Sequence, residues 1–224
     1  QANVNDLVDA WQAGCGVAPP VTYPDTVRSL TPVAYWRMGE AQGNSVMDDD
    51  VGSNNGTWFG DPPTVASLIC DSNTAKYLSG STGYATQPLT HQGNIASLTF
   101  LMTPEDPQTG SYVNIVGDGS QTAEGEQLWL GFDATRGFFT RSLPGGGGTQ
   151  WFVAEDHNLV LGTTYHIVVV FVDKNIKIYV NKVLTVNINS TYDLATGSRA
   201  FAIGIISPDV IQKFFKGAID EFAY

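Results

Sequence analysis

The chain has 224 residues, and 11 lysines and arginines against 22 aspartates and glutamates give it a net charge of −11 at pH 7. This charge argues against nucleic acid or an anionic membrane surface as a partner, because both require a positive patch. Hydrophobic residues make up 42 % and charged residues only 15 %, which excludes a disordered chain and favours an all-β protein rich in turns. No apolar stretch reaches the roughly 20 residues that a membrane span needs.

The first 30 residues are interpreted as an extension of the main domain. Asn3–Gln12 places Val4, Leu7, Val8 and Trp11 on one stripe, at the spacing of a short amphipathic helix. Glycines and prolines between positions 14 and 20 then end the helix and form a linker. The stripe has to pack against this domain, a neighbouring domain or a partner chain, and the first of these is favoured.

Residues 31–224 show a pattern of short strands separated by turns, without a long helix. The predicted strands are Leu98–Met102, Tyr112–Val116, Gln127–Phe132, Gly137–Arg141, Gln150–Ala154, Tyr165–Val172, Ile176–Val180, Val183–Ile188, Phe201–Ile206 and Phe214–Tyr224. Tyr165–Val172 is the most apolar strand and should lie at the centre of a sheet. The pattern predicts one domain over 31–224, an all-β, two-sheet antiparallel sandwich.

Six segments match, in order, the landmark motifs of one family. They are Pro32–Glu40, Asp50–Thr57, Ala75–Tyr84, Tyr165–Val169, Lys177–Lys182 and Phe215–Tyr224. The chain therefore resembles the laminin-G-like, concanavalin A-like lectin family, which implies a jelly roll. The family includes glycan-binding modules, adhesion modules and lectin-like domains of phage tail and fibre proteins, so the resemblance implies a fold more strongly than a function. The tract Tyr23–Leu30 resembles versions in bacterial surface and phage virion proteins.

The acidic residues do not form the pair that a glycoside hydrolase of this fold would use. A retaining mechanism needs two carboxylates about 5 Å apart on a rigid strand face. Glu124 and Glu126 lie in a loop-like stretch, and Glu105 and Asp106 lie in a turn between prolines. His166 falls in the most apolar strand and is interpreted as a core histidine. We expect no catalytic activity.

Calcium is the cofactor that the resemblance implies. Many family members hold a cation between an acidic residue near the first strand and the aspartate of the terminal Ile-Asp-Glu motif, and the matching residues here are Glu40 and Asp220. Ser79 stands where the family usually has a third acidic residue. The alternative is that Glu40 is solvated and Asp220 caps a turn.

Glycan binding requires an exposed aromatic ring with polar side chains beside it. Trp129 alternates with the apolar Leu128 and Leu130 and has Asp133 nearby, whereas Trp151 precedes two acidic residues and Trp58 follows an asparagine turn. For any single ring, packing in the core is the favoured interpretation, but the three together predict one ring on an open face. We interpret Trp129, Trp151, Asp133 and Trp58 as the candidate glycan-binding residues.

The sequence predicts a non-catalytic carbohydrate-binding or adhesion module, located outside the cell or on a virion surface. Its partners would be a cell-surface glycan and, through the N-terminal segment, other surface or virion proteins. The alternative is a structural protein–protein interaction module without a glycan ligand. Cys15 and Cys70 permit one disulfide bond or two buried thiols, and the sequence leaves that choice open.

Overall fold

The structure is a computed structural model that describes residues 4–13, 22–91, 95–105, 113–118, 127–133, 137–143, 150–153, 159–189, 197–206, 208 and 211–224. Helices α1 (Val4–Ala13) and α2 (Tyr23–Ser29) precede the strands. The strands are β1 (Tyr35–Trp36), β2 (Val46–Met47), β3 (Gly56–Phe59), β4 (Thr64–Ala66), β5 (Thr74–Ser79), β6 (Tyr84–His91), β7 (Ile95–Pro104), β8 (Val113–Asp118), β9 (Gln127–Asp133), β10 (Gly137–Leu143), β11 (Gln150–Val153), β12 (Tyr165–Val172), β13 (Asn175–Val180), β14 (Val183–Asn189), β15 (Gly197–Ile203) and β16 (Lys216–Ala223).

The strands form two antiparallel sheets. The first sheet has the order β14-β13-β12-β7-β16-β5-β4, with β1 paired to β16, and the second has the order β11-β10-β9-β8-β15-β6-β3-β2. The first and last strands thus pair directly, with Tyr35 opposite Ala223. The apolar strand Tyr165–Val172 is an interior strand of the first sheet. The predicted two-sheet antiparallel sandwich is confirmed.

Aromatic side chains fill the centre of the core between the two sheets. The rings of Phe100 and Phe222 stack with centroids 5.2 Å apart, and Phe201 meets Phe222 edge-on at 5.4 Å. Trp36 packs against both Phe201 and Phe222, and none of its surface is exposed. Offset and edge-on ring pairs of this kind add packing energy beyond their buried area.

Both helices pack against the outer face of the first sheet. Leu7 of α1 and Val27 of α2 are buried in a second apolar cluster with Tyr35, Leu101 and Val168. The apolar stripe predicted for residues 3–12 is therefore used within the domain, as favoured from the sequence. In the described part of the chain, no helix is long and apolar enough to cross a membrane.

Helix α2 lies in the N-terminal extension of residues 1–30, after the predicted linker, in a tract for which the sequence predicted no helix. Thr22 caps its N-terminus, because its hydroxyl accepts a hydrogen bond from the backbone N–H of Asp25 at 3.3 Å and donates to the carboxylate of Asp25 at 2.6 Å. Pro24 occupies the first turn, where the missing N–H has no intrahelical partner to lose. These local signals start a helix that is only seven residues long.

The helices bury a polar cluster on the sheet. His166 Nε2 lies 2.8 Å from the hydroxyl of Thr99 and 3.1 Å from that of Tyr23 in α2. Trp11 of α1 stacks over the His166 ring and donates its indole N–H to the carbonyl of Leu68 at 3.0 Å. Burial lowers the pKa of His166 to about 3, so the ring is neutral. His166 is a core histidine, as the sequence predicts.

A buried ion pair joins the first strand region to the last strand. Glu221 has no exposed surface, adopts a left-handed backbone conformation (φ +54°) and lies where the β16–β7 register shifts. Its carboxylate accepts hydrogen bonds from the Arg37 guanidinium at 2.9 and 3.1 Å and from the Tyr35 hydroxyl. Arg37 also contacts Asp71. The bulge therefore directs a carboxylate to a specific arginine on the neighbouring segment.

Candidate functional site

The outer face of the second sheet includes the positions of two of the three predicted tryptophans, Trp129 and Trp151. Leu130 and Phe132 of β9 are buried in the core between the sheets. Because alternate residues of a strand lie on opposite faces, positions 129, 131 and 133 belong to the face directed away from the core. The helices already cover the corresponding face of the first sheet.

In the strand register, Arg141 lies between two of the predicted glycan-binding residues, Trp129 and Trp151. Arg141 in β10 lies opposite Trp129 in β9 on one side and opposite Trp151 in β11 on the other. Neighbouring strands are about 4.8 Å apart, so the two tryptophan positions are about 10 Å apart with Arg141 between them. All three positions share the face that includes position 133, where Asp133 lies opposite Gly137.

The same register line continues across every strand of the second sheet, and we refer to it as the cross-strand row. Its positions, from β2 to β11, are Val46, Thr57, Thr86, Ala202, Gly117, Trp129, Arg141 and Trp151. The two small residues, Ala202 and Gly117, lie in the middle of this line, and its aromatic end, with Trp129 and Trp151, lies at the β11 edge.

The middle of the cross-strand row is covered by the chain that follows β15. Gly117 and Ala202 are buried, and a Cβ built at Gly117 would overlap the carbonyl oxygen of Ile206. The N–H of Gly204 also donates to the carbonyl of Ile115 at 2.7 Å. Glycine is required at 117 because the backbone of residue 206 lies directly against it. The aromatic end of the row, which begins at Trp129, therefore lies next to the backbone segment that covers Gly117.

Arg141 is the residue of this site that the sequence analysis missed. It ends the predicted strand Gly137–Arg141, which follows Gln127–Phe132 closely enough for the two strands to form a hairpin. The short connection between these two predicted strands was the sequence signal for their pairing. Converting it into a pairing of Arg141 with Trp129 required the hairpin register, which the structure supplies.

Trp58 lies in the core rather than on the surface. It is 4 % exposed, donates its indole N–H to Glu40 Oε2 at 3.1 Å, and has the ammonium of Lys76 at 5.6 Å from the ring centroid. The two-residue period of β3 directs Trp58 inward and leaves its neighbour Phe59 40 % exposed. The structure thus corrects the prediction of a sugar-facing ring at position 58. The Phe59 ring is stacked on Tyr84, with centroids 4.7 Å apart.

The two predicted metal ligands are held by different partners. Glu40 accepts hydrogen bonds from the backbone N–H of Asp48 at 2.9 Å and from Trp58. Asp220 is fully buried and accepts from the backbone N–H of Leu68 at 2.8 Å and from the hydroxyl of Ser67 at 3.3 Å. Burial raises the pKa of Asp220 to about 7, although both hydrogen bonds oppose that shift.

The predicted calcium site would need further oxygen ligands beside Glu40 and Asp220. Calcium takes about six to eight oxygen ligands, mostly from carboxylates and carbonyls. Among the residues that the structure describes, no group of three or more His, Cys, Asp or Glu side chains could hold a metal ion. Glu40 and Asp220 have separate hydrogen-bond donors in the described geometry, and calcium stays a prediction.

The acidic residues weighed as a glycosidase pair are only partly described by the structure. Asp220 and Glu221 are both fully buried beneath the helices and the first strand. Glu105 accepts a hydrogen bond from the Tyr77 hydroxyl at 2.6 Å and is on the surface. Glu124, Glu126 and Asp106 lie outside the described residues. The structure therefore offers no carboxylate pair to test against the geometry of a glycosidase.

Cys70 takes part in a disulfide bond. The chain has one other cysteine, Cys15, which lies outside the described residues. It is the only possible partner within the chain. A bond between them would tie the linker after α1 to the segment that precedes β5.

A family model described as the concanavalin A-like lectin/glucanases superfamily matches residues 78–224. No curated protein sequence matches the chain. Domain 4 of AbnA, an extracellular GH43 arabinanase from Geobacillus stearothermophilus, solved in complex with arabinotriose, has a TM-score of 0.63 at 19 % identity, over 86 % of this chain and 90 % of that chain.

Two further solved structures have the same fold. Trypanosoma rangeli sialidase has a TM-score of 0.62 at 16 % identity, and the match covers 97 % of this chain but 35 % of the sialidase. The binding domain of Paraclostridial Mosquitocidal Protein 1 has a TM-score of 0.58 at 11 % identity, over 86 % of this chain and 48 % of that chain. At such identities the likeness establishes the fold alone.

Proposed function

Because the chain belongs to the concanavalin A-like lectin/glucanases superfamily, we propose that it is a non-catalytic carbohydrate-binding module. The glycan would lie on the outer face of the second sheet, across β9, β10 and β11. The observation that carries this proposal is the register that brings Trp129 and Trp151 into one line on a single face.

The residue types at this end of the cross-strand row suit a sugar ligand. Aromatic rings stack on the apolar faces of sugar rings, and polar groups beside them bind hydroxyls. Trp129 and Trp151 supply the rings, and Asp133 lies on the same face of β9. A ligand that contacts both tryptophans has to span about 10 Å, which favours an oligosaccharide over a single sugar.

The comparisons support this reading through proteins with the same fold. Domain 4 of the arabinanase was solved with a bound trisaccharide, and the mosquitocidal protein's domain is described as a binding domain. Both are modules within larger proteins, and we propose the same arrangement here. The larger protein would be a bacterial surface or phage virion component.

The test is binding of the purified chain to a panel of oligosaccharides and bacterial polysaccharides, with the variants Trp129→Ala, Trp151→Ala and the double variant. Each single change should weaken binding about tenfold, since an aromatic residue at the centre of a binding surface contributes about 1.4 kcal/mol or more. Phe59→Ala is the matched control, because Phe59 is an exposed aromatic residue on β3 of the same sheet. Equal losses in the control, or no loss in the double variant, would contradict the proposal.

Calcium is tested in the same experiment, as a support for binding or for the fold. If Glu40 and Asp220 hold an ion, chelation lowers the Tm and weakens glycan binding, and added calcium restores both. An unchanged Tm with chelator, together with no metal in the purified chain by elemental analysis, would exclude a structural cation.

We also propose that the module acts outside the cell. The disulfide at Cys70 supports this location, because disulfide bonds persist in oxidising compartments. The alternative, a structural module that engages partners through the N-terminal helix, has less support. Leu7 and Ala10 of α1 are already buried, and Trp11 is hydrogen-bonded to Leu68 of the same domain.

A further inference from the structure

We infer that the glycan bound on the second sheet is acidic, and that Arg141 is the residue that selects it. This inference rests on the proposed function and names its ligand class: a sugar bearing a carboxylate or a sulfate. The geometry behind it is the placement of an arginine between two tryptophans, one strand spacing from each.

Arg141 differs from the other residues of the cross-strand row in being charged. Of the eight row positions, Arg141 is the one that carries a charged residue, the other seven being aliphatic, aromatic, hydroxyl-bearing or glycine. The chain has only 11 basic residues against 22 acidic ones. One of these few cations therefore occupies the middle of the aromatic end of the row.

An arginine in this setting matches an anionic group on a sugar. Its planar guanidinium presents donors in a fork that fits both oxygens of a carboxylate, and such charge-assisted pairs are roughly twice as strong as neutral hydrogen bonds. A neutral sugar offers hydroxyls, for which an asparagine or glutamine serves equally well.

The net charge of −11 does not oppose such a contact at physiological salt. Charges more than about 8 Å from the ligand are largely screened at that ionic strength, so the charges nearest the ligand decide the interaction. Asp133 lies on the same face of β9 but at the Gly137 end of the hairpin, four residues along the strand from Trp129. At about 3.4 Å per residue this separation is about 14 Å, so Asp133 lies beyond the screening length from an acidic group held at Arg141 and would bind a neutral part of an oligosaccharide.

The inference is tested with pairs of glycans that differ in their acidic group: sialyllactose against lactose, and polygalacturonate against the same polymer after carboxyl reduction. The intact chain should bind one acidic member at least tenfold more tightly than its neutral match. Arg141→Gln should abolish that preference, and Arg141→Lys should retain part of it, because the charge stays while the fork is lost. The Tm of each variant establishes that it is folded at the assay temperature.

Lys177→Gln is the matched control, because it removes the same charge from β13 of the first sheet. It should leave the preference unchanged, and a loss equal to that of Arg141→Gln would indicate a long-range charge effect and overturn the inference. Binding of neutral glycans that depends on Trp129 and Trp151 but not on Arg141 would overturn it while leaving the proposed function intact. Absence of binding to every glycan tested would overturn both.

Discussion

His166 and Asp220 lie in one register line beneath the helices, on either side of Leu101. Both are buried, and burial shifts their pKa values in opposite directions. The pKa of His166 falls from 6.5 to about 3, so the folded state excludes a proton that the unfolded state binds. The pKa of Asp220 rises from 3.8 to about 7, so the folded state retains a proton that the unfolded state releases.

The two shifts have opposite consequences for stability. The lowered pKa of His166 makes the free energy of unfolding rise with pH between about pH 3 and 6.5, by about 1.4 kcal/mol per pH unit. The raised pKa of Asp220 makes it fall at the same rate, between about pH 4 and 7. From about pH 4 to 6.5 their contributions therefore cancel. Removing either group should reveal the other.

We predict mirror-image effects for His166→Gln and Asp220→Asn between pH 4.5 and 5.5. Relative to the wild-type chain, the free energy of unfolding of His166→Gln should fall by about 1.4 kcal/mol over this interval, and that of Asp220→Asn should rise by about the same amount. Urea unfolding at both pH values measures the two differences. Comparison with the wild-type chain removes the contribution of the other carboxylates.

Val183→Thr, at an exposed position on β14, provides a control without a titrating group. The difference in free energy of unfolding between Val183→Thr and the wild-type chain should be the same at pH 4.5 and pH 5.5. If the corresponding differences for His166→Gln and Asp220→Asn are also the same at both pH values, burial does not shift the pKa values of His166 and Asp220, and the prediction is refuted. That result would mean that the helices do not exclude water from the sheet face they cover.

Three further changes test the packing. Gly117→Ala should destabilise the fold by about 3 kcal/mol, because its Cβ would overlap the backbone of residue 206. Gly162→Ala, at φ +73° with open space around it, should destabilise the fold by only about 1 kcal/mol, from backbone strain alone. Thermal unfolding compares the two variants, and equal losses of stability would show that the backbone of residue 206 does not cover Gly117. Burial raises the pKa of Glu221 to about 8, so the effect of Arg37→Met is measured at pH 9. There it should remove about 3 kcal/mol in urea unfolding, because an ionised Glu221 is left buried without its cation, and a neutral effect at that pH would mean that solvent reaches the carboxylate. Trp11→Phe should increase hydrogen exchange in α1 by about fivefold, the equivalent of one lost hydrogen bond of about 1 kcal/mol, and unchanged exchange would show that the bond does not hold the helix.

Local patterns were sufficient for much of the fold. The two-residue alternation in Gln127–Phe132 identified Leu130 and Phe132 as core residues and excluded Trp129 from that face. The stripe in residues 3–12 predicted α1 within one residue of its observed bounds. Helix α2 was missed because its seven residues are too few to show a helical period, and a proline at its start reads equally well as a linker.

The candidate site shows where the same patterns fail. Trp58 and Phe59 are adjacent aromatic residues in a short strand, and the sequence does not state which one faces the core. Packing against Lys76 and Glu40, contributed by other segments, decides that Trp58 does. Glu40 and Asp220 were predicted to share a metal ion because the first and last strands of a jelly roll are neighbours. In the structure, Glu40 accepts a hydrogen bond from the N–H of Asp48 and Asp220 accepts one from the N–H of Leu68.

The sequence by itself determined most of the strands after residue 95, the faces of those that alternate clearly, and the two-sheet sandwich, because these depend on the periodicity of side chains along a single segment. It also determined which residue types are available for chemistry. Only the tertiary structure decided that Arg141 stands between Trp129 and Trp151, that the segment after β15 covers Gly117, and that the helices bury His166. These features depend on strand register and on contacts between segments distant in the chain, and a shift of one residue in a hairpin would have moved Arg141 to the other face.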